Sequence, residues 1–513
     1  MPHDLASGEA SVSSHDRVPG FIVPRSHGLG NITDRSALLV LAAITLAGAA
    51  IRFTNLHAPF WFDEVMSTLF IHQPFSRLWS DWMIRETNPP VYYSLLKGWA
   101  MVFGEGDAAL RSLSAVIGVV ALPLIYALVR SVQPRGPALT AAVMLCFSGP
   151  ALIYSQQVRV YGLTLVLAMV VLILVMHMLA RAGDGFKPGF AANAGYVAAT
   201  SAALYSHTTM VILPFLCSVF ILYRVLDNPK SRFMLVYWFA ANAVVLLIWL
   251  WWAHITYEQV LHSNNVAWLK RPSFQQAVFT TIASYGLWHA KHWLVVVSLA
   301  ALFLIGTWHL RRSIGLLLPF IAIGLPVAAF LISFSTPVFA DKTIFWGSGP
   351  FIATVAVGIW SLRNPCGIAA CIVAWVTIGA YDQMSMRRPV PPGYPDVIAR
   401  IKSIDPGAVV LTNDPFALRR YCTAHCRLAF LSYPSNWIDR TFGGAVLDGS
   451  DTNVRRLPIS HLFLSRGSRS NPGLPVARWE LIQSWEIPAE PKISLYRYVP
   501  CPISPGEMAA KCK

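Results

Sequence analysis

The chain has 513 residues, 55% of them hydrophobic and 13% charged, with a formal net charge of +15. A soluble domain carries about 25% charged residues, so the composition excludes disorder, collagen and a disulfide-dense secreted scaffold and points to a polytopic membrane protein. The positive charge does not read as nucleic-acid binding, because many cations fall between apolar runs, where topology accounts for them.

Residues 1–35 are polar and are predicted to form a cytoplasmic N-terminal tail. The first apolar run starts near Ser36, too late for the core of a cleavable signal. Runs long enough to span lie near 36–53, 108–129, 137–154, 160–180, 190–206, 208–224, 233–255, 293–310, 313–335, 343–362 and 364–381. That predicts about 11 transmembrane helices over 36–381, with outer loops at 52–107 and 257–292. Arg130 and Arg135, Arg181 and Lys187, Arg224 with Lys230 and Arg232, Arg311 with Arg312, and Arg363 fall at alternate joints. The positive-inside rule makes that face cytoplasmic and puts the C-terminal tail outside. Pro90–Gly104 is apolar but short, and counting it as a span would move every later cation to the other side. It is therefore read as a juxtamembrane or re-entrant helix. Loop 257–292 is expected to hold an interfacial helix near Phe274–Gly286.

From residue 382 to 513 the chain carries 28 charges in 132 residues, against 37 in the preceding 381. This tail opens on the linker Arg387–Pro395. A helical stretch (396–404), a short strand (Ala408–Leu411), a second helix (415–421) and β-rich runs at Ile459–Leu464 and Ile493–Tyr498 predict a small α/β domain. Its four cysteines, Cys422, Cys426, Cys501 and Cys512, suit an oxidising compartment and allow three pairings. Cys146, Cys217, Cys366 and Cys371 lie in or beside apolar runs.

Four runs carry chemistry. Phe60-Trp-Phe-Asp-Glu-Val-Met-Ser-Thr68 puts Asp63 and Glu64 just beyond the first span. An ionised acid among aromatics at a membrane surface needs a partner or a task, although acids at a helix start also favour the macrodipole. Tyr154-Ser-Gln-Gln-Val-Arg-Val-Tyr161 offers Arg159, which has two donors for a phosphate oxygen or snorkels at the interface. Tyr205-Ser-His-Thr208 is a tight outer turn whose His207 either lines a site or is a hydrogen-bonded interfacial residue. Pro337-Val-Phe-Ala-Asp-Lys-Thr-Ile-Phe-Trp346 places Lys342 at an outer helix entrance, where topology asks for no cation, with Asp341 beside it as a candidate partner.

Asp63-Glu64 after the first span, Asn88-Pro-Pro-Val-Tyr-Tyr93, and Phe103-Gly104 with Ala109-Leu-Arg111-Ser-Leu-Ser114 resemble the GT-C integral-membrane glycosyltransferases. The nearest subgroup uses dolichyl- and polyprenyl-phosphate sugars, as in the aminoarabinose transferase of lipid A and the protein mannosyltransferases of glycosyltransferase family 39. The run 154–161 is similar to that subgroup's Tyr-x-Gln-Glu-x-Arg-x-Tyr signature, Tyr205–His207 to its Tyr-Thr-His turn, and Pro337–Lys342 to its Pro-x-Phe-x-x-Arg motif. The resemblance covers about residues 30–360. Two positions depart from it: Gln157 stands where Glu is usual, and Lys342 where Arg is usual, which keeps the charge and loses the bidentate fork.

The resemblance implies an inverting transfer of one sugar from a polyprenyl-phosphate donor to a glycan, lipid or protein acceptor, outside a bacterial cytoplasmic membrane. It implies Asp63 as general base with Glu64 orienting it or a sugar hydroxyl, Arg159 and Lys342 on the donor phosphate, and His207, Gln157, Tyr161 and Tyr92 around the substrate. Membrane lipid is the other partner. No cofactor is implied. No Asp-x-Asp motif or nucleotide loop is present, and a divalent metal is an option that no motif indicates. The competing class is a transporter or flippase of a lipid-linked sugar, which would place charges near the midplane.

Overall fold

The computed structural model describes residues 33–228, 231–262, 269, 271–286, 293–386, 393–412, 415–422, 426–432, 462–466, 479–487 and 493–500. Apolar runs of this length must bond their backbone internally, so they fold as helices. Helix α1 (Asp34–Arg52) starts on a Thr33 cap whose hydroxyl accepts the Ser36 N–H, and Asp34 in its first turn is paired with Arg135. A segment of short helices follows: α2 (Phe62–Ile71), α3 (Phe75–Leu78), a 3-10 turn Asp81–Arg85 and α4 (Val91–Phe103). At 13 residues α4 is about 20 Å long, too short for a hydrocarbon core of about 30 Å, so it does not change the parity of the spans.

Helix α5 (Asp107–Arg130) runs to the opposite end, and α6 (Arg135–Cys146) returns. Its run breaks at Ser148 and continues as α7 (Gly149–Ser155), bent by 61°, where Pro150 lies inside the new first turn. Then come α8 (Tyr161–Gly183), α9 (Phe190–Leu204), α10 (Ile212–Asp227), α11 (Phe233–His262), the short α12 (Phe274–Tyr285), α13 (Trp293–Leu310), α14 (Leu317–Ile332), α15 (Asp341–Ile344), α16 (Ser348–Ser361) and α17 (Pro365–Met386). Among the described residues nine helical segments are long and apolar enough to cross a membrane, or ten with the bent α6–α7 pair. The remaining expected run, 190–206, folds as α9, whose 15 residues reach about 22 Å. It leads from the 181–187 joint back to the 205–209 turn and so, with the ten, accounts for the eleventh expected run.

Helices α5, α8 and α16 form the middle of the bundle, and α16 is buried over most of its length. Helices α1, α11, α13 and α17 lie at the periphery with little of their surface covered. Where α13 crosses α16, Gly306 and Gly358 meet: a Cβ on Gly358 would lie 1.9 Å from the Leu302 carbonyl oxygen. Small residues at such a crossing let the two backbones touch.

Beyond the bundle, α18 (Tyr394–Ile404) and α19 (Pro415–Tyr421) accompany a five-stranded mixed sheet: β1 (Val409–Thr412), β2 (Ala429–Ser432), β3 (Leu462–Arg466), β4 (Trp479–Ile487) and β5 (Ile493–Pro500). The strand order is β2-β1-β3-β5-β4. Strand β1 runs parallel to β2 and β3, with Val410 opposite Phe430 and Phe463, whereas β5 runs antiparallel to β3 and β4. Both tail helices and three of the strands thus fall where the sequence predicts them, and β2 and β4 are additional strands. Most of the linker, residues 387–392, and Cys501 and Cys512 lie outside the described residues. Cys422 and Cys426 form a disulfide.

Candidate active site

Every proposed site residue stands at one end of the bundle. There α1, α2, the 155–161 turn, the 205–209 turn and α15 meet, and the contacts between them hold Asp63 in place. Helix α2 starts at Phe62, so Asp63 and Glu64 occupy its first turn, where acids are favoured. Successive side chains on a helix point about 100° apart, and these two acids part accordingly. Glu64 turns inward and is fully buried. Its Oε1 and Oε2 accept from Arg111 Nε at 2.8 Å and Nη2 at 2.6 Å. Oε1 also accepts the Val158 N–H at 2.9 Å, and Oε2 the Trp61 N–H at 3.3 Å. With every oxygen engaged, Glu64 binds α2 to α5 and to the 155–161 turn. These four contacts occupy both of its oxygens.

Asp63 turns toward the opening. Its Oδ2 lies 3.3 Å from Lys342 Nζ and 4.0 Å from Arg159 Nη2. The side chains of Asp63 and Lys342 are 22% and 21% exposed, so both can be reached from outside. Arg159 is more enclosed. Its Nη1 donates to the Asp63 carbonyl at 3.2 Å, and Nη2 has a long contact of 3.5 Å with the Tyr161 hydroxyl. Its Nε is buried with no hydrogen-bond partner among the described residues. Burial works against the Arg159 charge, but Tyr161, Tyr93, Asp63 and Glu86 outweigh it and hold the guanidinium firmly protonated. A buried donor left unmatched beside a reachable cation is a ready site for an anionic oxygen.

His207 closes the same wall, with its ring 6.1 Å from that of Tyr161. Its Nδ1 accepts the Thr209 N–H, and the Thr209 hydroxyl donates to the Thr343 carbonyl next to Lys342. Burial, and then the charges of Arg159 and Lys342, push the His207 imidazole down to about 3. It is therefore a neutral ring at physiological pH. Tyr161 also packs edge-on to Tyr154, 5.0 Å between centroids. Gln157 is half-buried in the turn, and its carbonyl accepts the Arg159 N–H. Tyr92 is 1% exposed, and its hydroxyl meets Ser114 at 3.0 Å. Its place is in the packing of α4 on α5, although Arg159 and Glu64 remain within electrostatic reach.

The Asp341 Oδ2 accepts from the Tyr154 hydroxyl at 3.1 Å, while Lys342 reaches across to Asp63. The short helix α15 sends the two side chains different ways. Sequence reasoning also passed over four residues that build the site. Arg111 stood in a quoted motif with no partner assigned. Gln156 spends its side-chain amide on the carbonyls of Ile51, Arg52 and Thr54, fixing the end of α1. Glu86 brings a carboxylate within reach of Arg159, held by the Asn88 N–H and side-chain amide. Gln259, on the extension of α11 beyond its predicted end, holds that loop through the carbonyls of Met83 and Glu86. Among the described residues no three His, Cys, Asp or Glu side chains gather as a metal site.

An apolar groove of about 560 Å³ lies between α12, α13 and α14, lined by Phe274, Tyr285, Phe303, Phe330 and Phe339 among others. It is close to the site, because Ser284 of α12 donates to the Asp341 carbonyl, one residue before Lys342.

No family model matches the sequence, and no curated protein matches it. Solved structures do. ArnT from Cupriavidus metallidurans in the apo state aligns with a TM-score of 0.56 at 12% identity, covering 90% of this chain and 97% of that one. The same protein bound to undecaprenyl phosphate gives 0.55, at 12% identity over 90% and 98%. The fold is GT-C. The archaeal oligosaccharyltransferase AglB from Archaeoglobus fulgidus, in complex with an inhibitory peptide and a dolichol-phosphate, aligns at 0.51 and 12% identity over 85% of this chain and 70% of that one. The all-α bundle with a small α/β tail expected from the sequence is thus the observed GT-C arrangement.

Proposed function

We propose that the protein is an inverting membrane glycosyltransferase. It moves one sugar from a polyprenyl-phosphate donor to a hydroxyl of an envelope glycan, lipid or protein acceptor, on the outer face of a bacterial cytoplasmic membrane. The observation that carries this reading is Asp63, reachable from outside and set between Lys342 and an Arg159 whose Nε is unmatched. Asp63 takes the proton of the acceptor hydroxyl as that oxygen attacks the anomeric carbon. The bond from that carbon to the phosphate oxygen breaks, and the configuration inverts. The leaving lipid phosphate departs as an anion, so it needs cations and no general acid. Arg159 and Lys342 stand where that charge grows. Lys342, paired with Asp63, turns toward the arriving phosphate and leaves Asp63 free to act as base.

The neighbours seen with undecaprenyl phosphate and dolichol-phosphate support a lipid-linked donor. So does the apolar groove beside α15, which suits a prenyl chain. The ends of the bundle differ in charge as the positive-inside rule requires, which supports an outer active site. A disulfide in the tail fits an oxidising compartment. In this reading residues 36–381 form the catalytic domain and 382–513 an outer α/β domain. The test is transfer by the purified chain from radiolabelled polyprenyl-phosphate sugars to envelope acceptors in detergent, with the anomeric configuration of the product read by NMR. An inverted product is expected. Movement of the intact lipid-linked sugar across vesicles, with no product formed, would identify a flippase and overturn the reading.

A further inference from the structure

The segment that delivers Asp63 is gripped from two sides. From within the bundle, Arg111 donates to the carbonyls of Leu56, Ala58 and Pro59 and clasps Glu64. From the C-terminal domain, the end of α19 closes on the same stretch. The Tyr421 hydroxyl accepts the Phe60 N–H at 2.6 Å and donates to Asp107 Oδ2 at 2.9 Å. Both of its hydrogen-bonding capacities are therefore used. Burial pushes the Tyr421 phenol up, which keeps its proton available for that donation. Arg420 adds Nη2 and Nε contacts to Asp107 Oδ1 at 2.6 and 3.2 Å, and Nη2 also reaches the Glu105 carbonyl at 2.9 Å.

The side chain at the centre is Phe60, 2% exposed. The Arg420 guanidinium lies 4.5 Å from its ring centroid and that of Arg111 lies 4.7 Å away. Two cations from opposite halves of the molecule thus hold one ring. Phe60 precedes Trp61, the residue before α2, and Asp63 follows three positions later. The Cys422–Cys426 disulfide begins at the residue after Tyr421 and restrains that end of α19.

We propose that Tyr421 and Arg420 are positioning residues for Asp63: the C-terminal domain forms the outer half of a clamp on residues 56–60, and Arg111 forms the inner half. The role of Asp63 as base rests on the function proposed above, whereas the clamp does not. Misplacing a reacting group by about 1 Å costs on the order of 100-fold in rate, so a domain that touches no substrate can still set turnover.

The test uses the full chain with Tyr421→Phe, which removes only the hydroxyl, and Asp107→Asn, which weakens the same contact from the bundle side. Arg420→Met and Arg420→Lys follow, the second expected to restore most of what the first loses. Hydrogen–deuterium exchange over peptides covering 56–66 is the first readout, and turnover against donor KM the second. We expect Tyr421→Phe and Asp107→Asn each to speed exchange in 56–66 while peptides in α8 and α16 stay as in the wild type. Turnover falls by about 10- to 100-fold on the positioning scale, with donor KM little changed. Faster exchange confined to 394–421, with 56–66 and turnover unaltered, would reduce the contact to a tether for the tail and overturn the proposal. Should either variant fail to fold, the other reports on the same contact. Should the wild type transfer no sugar, the proposed function fails while the exchange data still decide the clamp.

Discussion

Cations stand at both ends of the helical bundle in opposite states. At the end that carries the 130–135, 181–187 and 311–312 joints, they are half-buried or exposed and serve helix ends, Arg135 reaching Asp34 at the start of α1. Arg130 Nη1 donates to the Gln133 carbonyl at 2.7 Å, Arg181 Nε to the Lys187 carbonyl at 3.3 Å, and Arg311 lies over its own helix's Trp308 ring at 3.6 Å. These are uses a long amphipathic side chain makes of a helix C-terminus at an interface. At the other end Arg111 and Arg159 are buried, and carboxylates face them across 47 and 96 residues of sequence. The first kind of charge orients a chain in a membrane. The second kind costs desolvation and persists where geometry and hydrogen bonds compensate it, which is why chemistry is to be sought there.

The contrast can be broken at its strongest point first. Asp63→Asn keeps volume and removes the charge, so transfer should fall by about 10²–10⁴-fold, with the purified protein still monodisperse. Near-normal single-turnover rates would take Asp63 out of the mechanism. Next come the cations facing it. Arg159→Ala and Lys342→Ala should each lose about 2.7–4 kcal/mol of transition-state stabilisation, or two to three decades in rate. Lys342→Arg should retain most activity because the charge stays. Wild-type turnover per folded molecule in both alanine variants would leave them as headgroup anchors.

A smaller effect sharpens the comparison through pH. The buried imidazole of His207 is pushed down to about 3 from an ordinary 6.5. The unfolded chain therefore binds a proton below pH 6.5 that the folded chain refuses. Stability is lost as pH falls from about 6.5 towards 3, with roughly 2 kcal/mol gone by pH 5. His207→Asn keeps an acceptor for the Thr209 N–H and should narrow the drop in Tm between pH 7 and pH 5. An unchanged drop would show that His207 is not the group responsible. The smallest effect belongs to the opposite end. Arg311→Gln or Arg130→Gln alone should shift stability by no more than about 0.5 kcal/mol and leave turnover alone. A loss of transfer rivalling that of Arg159→Ala would erase the distinction between the two ends.

Much of the site was legible because a membrane protein writes its topology into its sequence. Once spans and positive joints are marked, Asp63, Arg159, His207 and Lys342 fall at the ends of spans on one side. Their convergence there requires only that the spans alternate. The identity of each partner was not legible. Lys342 has Asp341 as its sequence neighbour yet pairs with Asp63, 279 positions away. Glu64 looked as available as Asp63, and adjacency gave no way to separate an acid locked to Arg111 from one facing the opening. Gln156 and Gln157 are equally alike in sequence, and the carbonyls at the end of α1 engage the first. The carboxylate of Glu86 went unmarked because it comes close to Arg159 through a loop held by Gln259 from a distant helix.

The sequence by itself determined the class of molecule: hydrocarbon tolerates only helices whose backbone is satisfied internally. Run length, joint charge and tail composition then settle how many helices there are, which ends they share and where the bundle stops. Tertiary structure alone decided the contacts. Whether a carboxylate is a strut or is open to substrate depends on a turn of about 100° along a helix and on which distant donor lies in that direction. The grip of Arg420 and Tyr421 on the segment before Asp63 was decided in the same way. It joins residues 361 positions apart, and no local pattern of hydrophobicity, spacing or charge encodes a contact of that range.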